Sequence, residues 1–507
     1  MNGTIPWARE LATTAQAFGD LVCVHDGIGT LTFRDLAARA AGLAHRLLAA
    51  GVKPGEPVAS FLRNSIPAVW ASYGVRITGA AEMPLNPALT EDERRYCVTL
   101  VGARHVVTIA AHRAFFAGLG VNVVTVDEIA AVPDGLDAIA PAPADAFGRI
   151  IFTSGTTGRP KAIVHTHGSR WLANLLQRAT LPYTPQPGDR ALLMTPFSHG
   201  AALIAFAYLE HGAAVELRDG VDLAAIEKLL STRAVDAVFA PPTVLEKLAE
   251  GFAGRHFPGI RVVFCGTSTL TPALYAKARA LFGPAVRITY GKSEVVNPIT
   301  ILPPAACERY YCDEPAGEGA CVGWPANGVE VEVRRDDATR AEIDEVAEVH
   351  LRARHMLVGH IDEQGFHPLA PGDFHATGDL GRLDAHGRLH LVGRTADVIK
   401  SGGYKIFPEE IERALAGAAG ALAVVTLPSD YWGEVIVAVA EAPAPGWEDK
   451  ARAAVECLAK YKHPRAYVAL DALPRNPQGK ISRRDVRAMV MARWELADGA
   501  RPGLRRR

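Results

Sequence analysis

Hydrophobic and polar positions follow two periods along most of this chain. Within 32–50, Leu36, Ala40, Leu43 and Leu47 recur at helical spacing and Gly51 closes the run, which predicts a helix. The apolar stretch 57–62 predicts a strand. A second helix is expected over 66–79, with Ser65 placed to cap it and Pro67 in its first turn. The alternation returns as strand 191–194, helix 203–211, strand 213–217, helix 223–233 and strand 237–240. Such a succession argues for parallel sheets covered by helices. The Glu-, Pro- and Gly-rich segment 305–320 reads as an irregular connection.

Beyond about residue 320 the texture changes. Short strands at 329–333, 346–351 and 389–392, divided by Gly, Asp and Asn turns, suggest an antiparallel or barrel-like lobe. A last unit starts near Asp397, with a strand, a helix at 408–415, strands at 423–427 and 435–440, and a helix at 447–460. The expected fold class is therefore α/β. A large N-terminal domain, 1–396, would hold helix-covered sheets plus the barrel-like lobe, and 397–507 would form a small mobile α+β C-terminal domain. About 110 residues suffice for such a unit. No long Pro/Gly linker joins the two, so the tether at 394–397 would permit rotation but not wandering.

Composition narrows the classes. Of 507 residues, 49% are apolar and 21% charged, which excludes a disordered tail or a fibre. Lys plus Arg number 54 against 55 Asp plus Glu, so the net charge of −1 argues against a nucleic-acid partner. Residues 1–18 lack the apolar core of a signal peptide, and no stretch reaches the roughly 20 apolar residues of a membrane span. A soluble, cytoplasmic protein is expected. The seven cysteines are scattered and form no CxxC pair, so Cys307, Cys312 and Cys321 read as reduced thiols rather than zinc ligands. The tail, Arg505 to Arg507, reads as a frayed, solvated end.

Candidate chemistry concentrates in Ile150-Ile-Phe-Thr-Ser-Gly-Thr-Thr-Gly-Arg-Pro-Lys161, where an apolar strand runs into hydroxyls, two glycines and a lysine. Glycines let backbone N–H groups approach an anion, Ser and Thr add donors, and a lysine adds a point charge. In physical terms this loop cradles a polyphosphate. Its spacing is not that of GxxxxGK[ST]. Ser/Thr/Gly clusters alone are usually surface turns, but this one follows a strand directly and ends in a lysine.

The run 153–161 resembles the phosphate loop of the adenylate-forming (ANL) superfamily, which holds acyl- and aryl-CoA ligases, peptide adenylation domains and luciferases. Further motifs follow in that family's order: Tyr290-Gly-Lys-Ser-Glu294, Thr377-Gly-Asp379, Gly393-Arg394 with Asp397, Ser401-Gly-Gly-Tyr-Lys405, Pro408-Glu-Glu-Ile-Glu412 and Asn476-Pro-Gln-Gly-Lys480. The resemblance covers nearly the whole chain and is greatest to ligases for benzoate- and halobenzoate-type acids.

What the resemblance implies can be stated residue by residue. ATP would be held by Thr153, Ser154, Gly155, Thr156, Thr157, Gly158 and Lys161. Gly266, Thr267, Ser268, Tyr290, Gly291 and Ser293 would enclose the adenine end, and Asp379 with Arg394 the ribose. Mg²⁺ would sit on Glu294 and the Thr156 hydroxyl. Lys480 would bridge the substrate carboxylate and the α-phosphate, and His199 would gate an acyl pocket lined by Ala201, Phe239, Val296 and Asn297. Asp397 would be the hinge. Coenzyme A would meet Gly402, Gly403, Tyr404, Trp432, Tyr461, His463 and Arg465. Taken singly, most of these would be packing residues or solvated charges; their order gives them meaning.

The implied activity is an ATP-dependent acid–CoA ligase for an aryl or other compact apolar acid, with a homodimer compatible. One alternative loads a carrier protein instead of coenzyme A; a medium-chain fatty acid substrate is a more distant one, and a non-catalytic nucleotide-binding protein another. A carboxylate is already ionised at pH 7, so its attack on the α-phosphorus needs no general base, only positioning and charge shielding. Ser293 replaces the family's usual Thr, Lys292 adds a cation, Asn476 and Gln478 stand where Thr and Ser are frequent, and Gly266-Thr-Ser departs from the usual small-residue run.

Overall fold

A computed structural model describes residues 3–153, 161–198, 200–314, 319–401, 404–476, 479–499 and 502–507. Contacts divide the chain into two compact units. One comprises Met1–Glu314, Val322–Glu330 and Arg352–Phe374; the other comprises Pro315–Cys321, Val331–Leu351 and His375–Arg507.

The first unit contains two sheets. In the eight-stranded sheet, Pro57–Phe61 pairs in parallel with Ala81–Pro84 and with His105–Thr108. Its other flank is antiparallel: Phe147–Thr153, then Lys161–Thr166, then the hairpin Gly359–Asp362 and Gly365–Pro368. In the seven-stranded sheet, Val286–Ile288, Val262–Cys265, Ala237–Phe239, Arg190–Leu193 and Ala214–Leu217 run parallel in that spatial order. The main core joins Val58, Val107 and Val124 of the first sheet, Ala191, Leu193 and Val215 of the second, and the helices Phe33–Ala49, Ile66–Ile77 and Gly200–Leu209. Thr32 caps the first of these helices by accepting from the Asp35 N–H.

Several local expectations are corrected. Ser65 does occupy the N-cap position, but its hydroxyl donates to the Arg63 carbonyl, and Asp26 accepts the Ile66 N–H instead. A carboxylate from another strand end is the stronger acceptor for an orphan helix donor. Segment 305–320 contains a helix, Pro304–Cys312. Proline suits its first turn, and Tyr311 stacks on Tyr275 with ring centroids 4.4 Å apart, so tertiary packing supports a segment whose composition suggests a loop. Finally, Gly503–Arg506 is no frayed end. It pairs antiparallel with Trp494–Ala497, and Leu496 and Leu504 pack against a core.

In the second unit, His375–Leu383 pairs antiparallel with Leu389–Arg394 and with Ala347–Ala353. Its C-terminal sheet joins Leu422–Ser429, Gly433–Glu441, Ile399–Ser401 and Tyr404–Ile406, with Ala466–Leu470 parallel to the long central strand. That strand is apolar on both faces because both are covered. Val435, Val437 and Val439 meet Val486 and Val490 of helix Arg483–Arg493, while Ile436, Ala438 and Ala440 meet helices Pro408–Leu415 and Trp447–Ala454. The helix expected over 447–460 thus stops at Ala454 and continues as a 3₁₀ turn, Val455–Cys457.

Candidate active site

Four neighbouring parallel strands of the first unit end at one edge. Arg190–Leu193 leads toward Phe197 and Ser198; Ala237–Phe239 ends in Phe239; Val262–Cys265 runs into Gly266, Thr267 and Ser268; Val286–Ile288 runs into Tyr290, Gly291 and Ser293. Residues remote in sequence are therefore delivered together, at the carboxyl ends of parallel strands where open α/β sheets bind ligands. The approach is close: a Cβ on Gly266 would lie 2.8 Å from the Thr289 carbonyl oxygen, so only glycine fits. Thr267 adopts φ +71°, an uncommon conformation for a β-branched residue and one that concentrates at functional sites. Tyr290 is buried, and its N–H donates to the Thr300 hydroxyl at 3.1 Å.

The residues expected to line an acyl pocket are largely interior. Ala201 is fully buried, Phe239 and Val296 are buried, and Phe239 lies against Gly200. Asn297 approaches Gly291, and its Oδ1 is buried with no hydrogen-bond partner among the described residues. That oxygen is an acceptor available to a ligand donor. His199 lies outside the described residues; beside it, the Ser198 carbonyl accepts from Arg149 Nη2 at 3.1 Å. Arg149 and Arg170 flank the buried Glu82, which also accepts from Ser72 at 2.5 Å. Burial pushes the Glu82 carboxyl up, but Arg170, Arg149 and the Ser72 hydroxyl outweigh it and hold the group below the usual carboxylate range.

The strands that flank the expected phosphate-binding run are paired: Thr153 and Lys161 are cross-strand partners, with Phe152 opposite Ala162. Ser154, Gly155, Thr156, Thr157 and Gly158 lie outside the described residues. On the Lys161 strand, the fully buried His165 bonds the Ser293 carbonyl through Nε2 at 2.8 Å, and the Glu294 carbonyl accepts from the Leu357 N–H at 2.7 Å. The hairpin that carries Lys161 is thereby tied to the backbone that carries the half-buried Glu294. Burial lowers His165 to about 4, so its ring is neutral and Nε2–H is the donor.

In the second unit, Asp379 and Arg394 are cross-strand partners joined by an ion pair at 3.1 Å. Asp397 closes a 3₁₀ turn, and its carboxylate accepts from Arg483 Nη1 at 2.6 Å; Arg483 also pairs with Glu409 at 2.7 Å and Glu412 at 2.6 Å. Lys480 is exposed beside a turn closed by Asn476, whose side-chain oxygen accepts the Lys480 N–H at 3.0 Å. Gly479 turns the chain there at φ +79°, a conformation that favours glycine. Gly402 and Gly403 lie outside the described residues. Tyr404 stacks on Tyr461 at 4.1 Å, and the Arg465 guanidinium lies 3.6 Å over Trp432, so the four form two pairs. His463 bonds the Leu458 carbonyl at 2.9 Å.

The AMP-binding enzyme family matches residues 11–360, more than half of the chain. The chain belongs to that family. Feruloyl-CoA synthase from an Amycolatopsis species is 30% identical over 92% of this enzyme and 95% of its own length. The 2-succinylbenzoate–CoA ligase of Bacillus subtilis is 27% identical over 90% and 93%. Among solved structures, the o-succinylbenzoate CoA synthetase of Bacillus subtilis in complex with its acyl-adenylate intermediate superposes with a TM-score of 0.83 at 26% identity, covering 96% of this enzyme and 98% of that chain. The same synthetase with ATP and magnesium gives 0.82 at 26% identity, covering 94% and 99%. These relatives are CoA ligases, and the mixed α/β architecture with a large and a small domain is theirs. Among the described residues, no helix is long and apolar enough to cross a membrane.

Several residues that organise this enzyme's candidate site escape sequence reasoning. His165, Arg149 and Arg483 belong to no motif of reacting groups, yet each holds one. The available signal was a charged or polar residue bordering an apolar run: His165 after Ala162-Ile-Val164, and Arg149 before Ile150-Ile-Phe152. Interior polar groups must be paired, so such positions mark partners still to be found.

Proposed function

We propose that this protein is a cytoplasmic ATP-dependent acid–CoA ligase that activates an aryl or similarly compact apolar carboxylic acid as its acyl adenylate and passes the acyl group to coenzyme A. The observation that carries the reading is the convergence of Phe239, Gly266–Ser268 and Tyr290–Ser293 at the ends of adjacent parallel strands, within the segment that matches the AMP-binding family. Feruloyl-CoA synthase and the 2-succinylbenzoate ligases both take aromatic acids by name, which supports a flat substrate.

In this reading Tyr290 offers an aromatic face to adenine, with Gly266 giving the close backbone on the other side. Asp379 accepts the ribose hydroxyls, and Arg394 keeps its carboxylate oriented. Lys161 and the loop hydroxyls meet the outer phosphates. The donor set fits Mg²⁺, since Glu294 supplies a hard carboxylate oxygen and Thr156 a hydroxyl, and the ion when bound neutralises phosphate charge. The substrate carboxylate attacks the α-phosphorus and pyrophosphate leaves; Lys480 shields the charge that accumulates between them. The thiol of coenzyme A then attacks the acyl carbonyl and AMP leaves. We assign 397–507 as the lid that exchanges Lys480 for the Gly402–Gly403 segment by rotation about Asp397, with Tyr404, Tyr461, Trp432 and Arg465 as the surface for coenzyme A.

An acid panel scored by AMP release with and without coenzyme A tests the reading. Aromatic acids should give AMP release that depends on free coenzyme A. Release only with an added carrier protein would assign the acceptor to that partner instead, and turnover of medium-chain fatty acids alone would overturn the aryl pocket.

A further inference from the structure

The hairpin beside the Lys161 strand carries a cluster that the ligase chemistry does not use. His360 and Asp362 are two residues apart on Gly359–Asp362 and so project from one face. On the returning strand, Gly365–Pro368, His367 is the direct cross-strand partner of His360. The two imidazoles stack with centroids 4.8 Å apart and planes 18° from parallel. Asp362 reaches both: His367 Nε2 lies 2.8 Å from Oδ1, and His360 Nε2 lies 3.7 Å from Oδ2. One donor atom from each side chain lies within 4.8 Å of the other two, and no other group of three such side chains does so among the described residues.

We propose that His360, Asp362 and His367 form a binding site for a divalent transition-metal ion of the zinc class. Two imidazole nitrogens and one carboxylate oxygen suit Zn²⁺, Co²⁺, Ni²⁺ or Cu²⁺, whereas Mg²⁺ prefers oxygen alone. Bonds of about 2.0–2.2 Å to such ions require donors separated by less than 4.8 Å, which small side-chain rotations supply. The frame is built for it. Register and the alternation of faces hold the two rings together, while on the opposite face Phe366 packs against Phe147 at 5.2 Å. The Gln364 N–H donates to Asp362 Oδ1 at 2.9 Å and orients the carboxylate, as outer partners of metal ligands commonly do. The three side chains are 33%, 22% and 41% exposed, so an ion can enter and keep a water ligand.

The contrasting role is a hydrogen-bonded clasp that only closes the hairpin. Chelator-treated full-length protein titrated with Co²⁺ separates the two. One equivalent should bind with the visible absorption of nitrogen and oxygen ligation and without thiolate charge-transfer bands, and Zn²⁺ should displace it. His360→Asn with His367→Asn should abolish that spectrum. Asp362→Asn, which preserves side-chain size, should weaken binding by more than the ~10–100-fold typical of losing an outer-shell partner. Zn²⁺ should raise the melting temperature of the natural protein and not of the double variant. The proposal is overturned if the double variant binds Co²⁺ as the natural protein does, if thiolate bands appear (Cys312 and Cys457 are the exposed thiols), or if no binding occurs with metal at ~1 mM, a concentration at which even weak sites fill.

Discussion

Lys480, the lysine proposed for adenylation, takes its place from the turn that carries it. It is exposed, and its address comes from a turn in which Asn476 accepts the Lys480 N–H and donates its own backbone N–H to the Lys480 carbonyl at 2.8 Å. Asn476 therefore braces Lys480 through both its side-chain oxygen and its backbone N–H. Lys480→Ala should slow adenylation by roughly 10²–10³-fold, the size of losing one charge-stabilising donor, and spare thioester formation from supplied acyl adenylate. Near-normal ATP–pyrophosphate exchange in that variant would remove Lys480 from the mechanism. At Glu82 the governing fact is burial. Glu82→Gln leaves Arg149 and Arg170 interior and short of an anion, so the unfolding free energy should drop by about 3–5 kcal/mol in urea titrations. A loss under 1 kcal/mol would mean that water replaces the carboxylate.

At the scale of elements, the candidate residues sit at the ends of strands and in short turns, and charges pair across elements. Arg483, from the helix that follows Lys480, gathers Asp397, Glu409 and Glu412. The expected hinge residue is thus also an ion-pair partner, and two substitutions separate these roles. Asp397→Asn keeps the backbone and weakens the pair, and should leave both half-reactions within a few-fold. Asp397→Pro restricts the backbone of its neighbour and should retain adenylation while losing thioester formation, measured as CoA-dependent AMP release. Equal loss of both steps in the proline variant would count against a hinge at this position. The helices and strands themselves were legible where apolar residues recur at one clear period, as in Phe33–Ala49 and Pro57–Phe61. Helix Pro304–Cys312 was not, because its support comes from Tyr275 and Arg279 on another helix rather than from its own pattern.

Over the whole molecule, buried histidines make stability depend on pH with a definite sign. His165 and His167 are each held at about 4, chiefly by burial, against 6.5 for an ordinary histidine. Between those values the unfolded chain binds protons that the folded chain refuses, so their contribution is complete above about pH 6.5 and declines as pH falls toward 4. Urea midpoints measured across that window should fall with acidification, and His165→Gln or His167→Gln should flatten the slope; an unchanged slope would mean that these rings protonate in place. Motif order, the α/β alternation and the candidates for reacting groups, Lys161, Glu294, Asp379 and Lys480, are all legible in the sequence alone, because each is encoded over a few neighbouring residues. The pairings around those candidates were decided only by the tertiary structure: His165 on the Ser293 carbonyl next to Glu294, Arg149 on the Ser198 carbonyl, Arg483 on Asp397, and His360 facing His367 with Asp362. A buried polar atom must find a partner wherever the fold brings one, and strand order and register, not sequence distance, determine which partner that is.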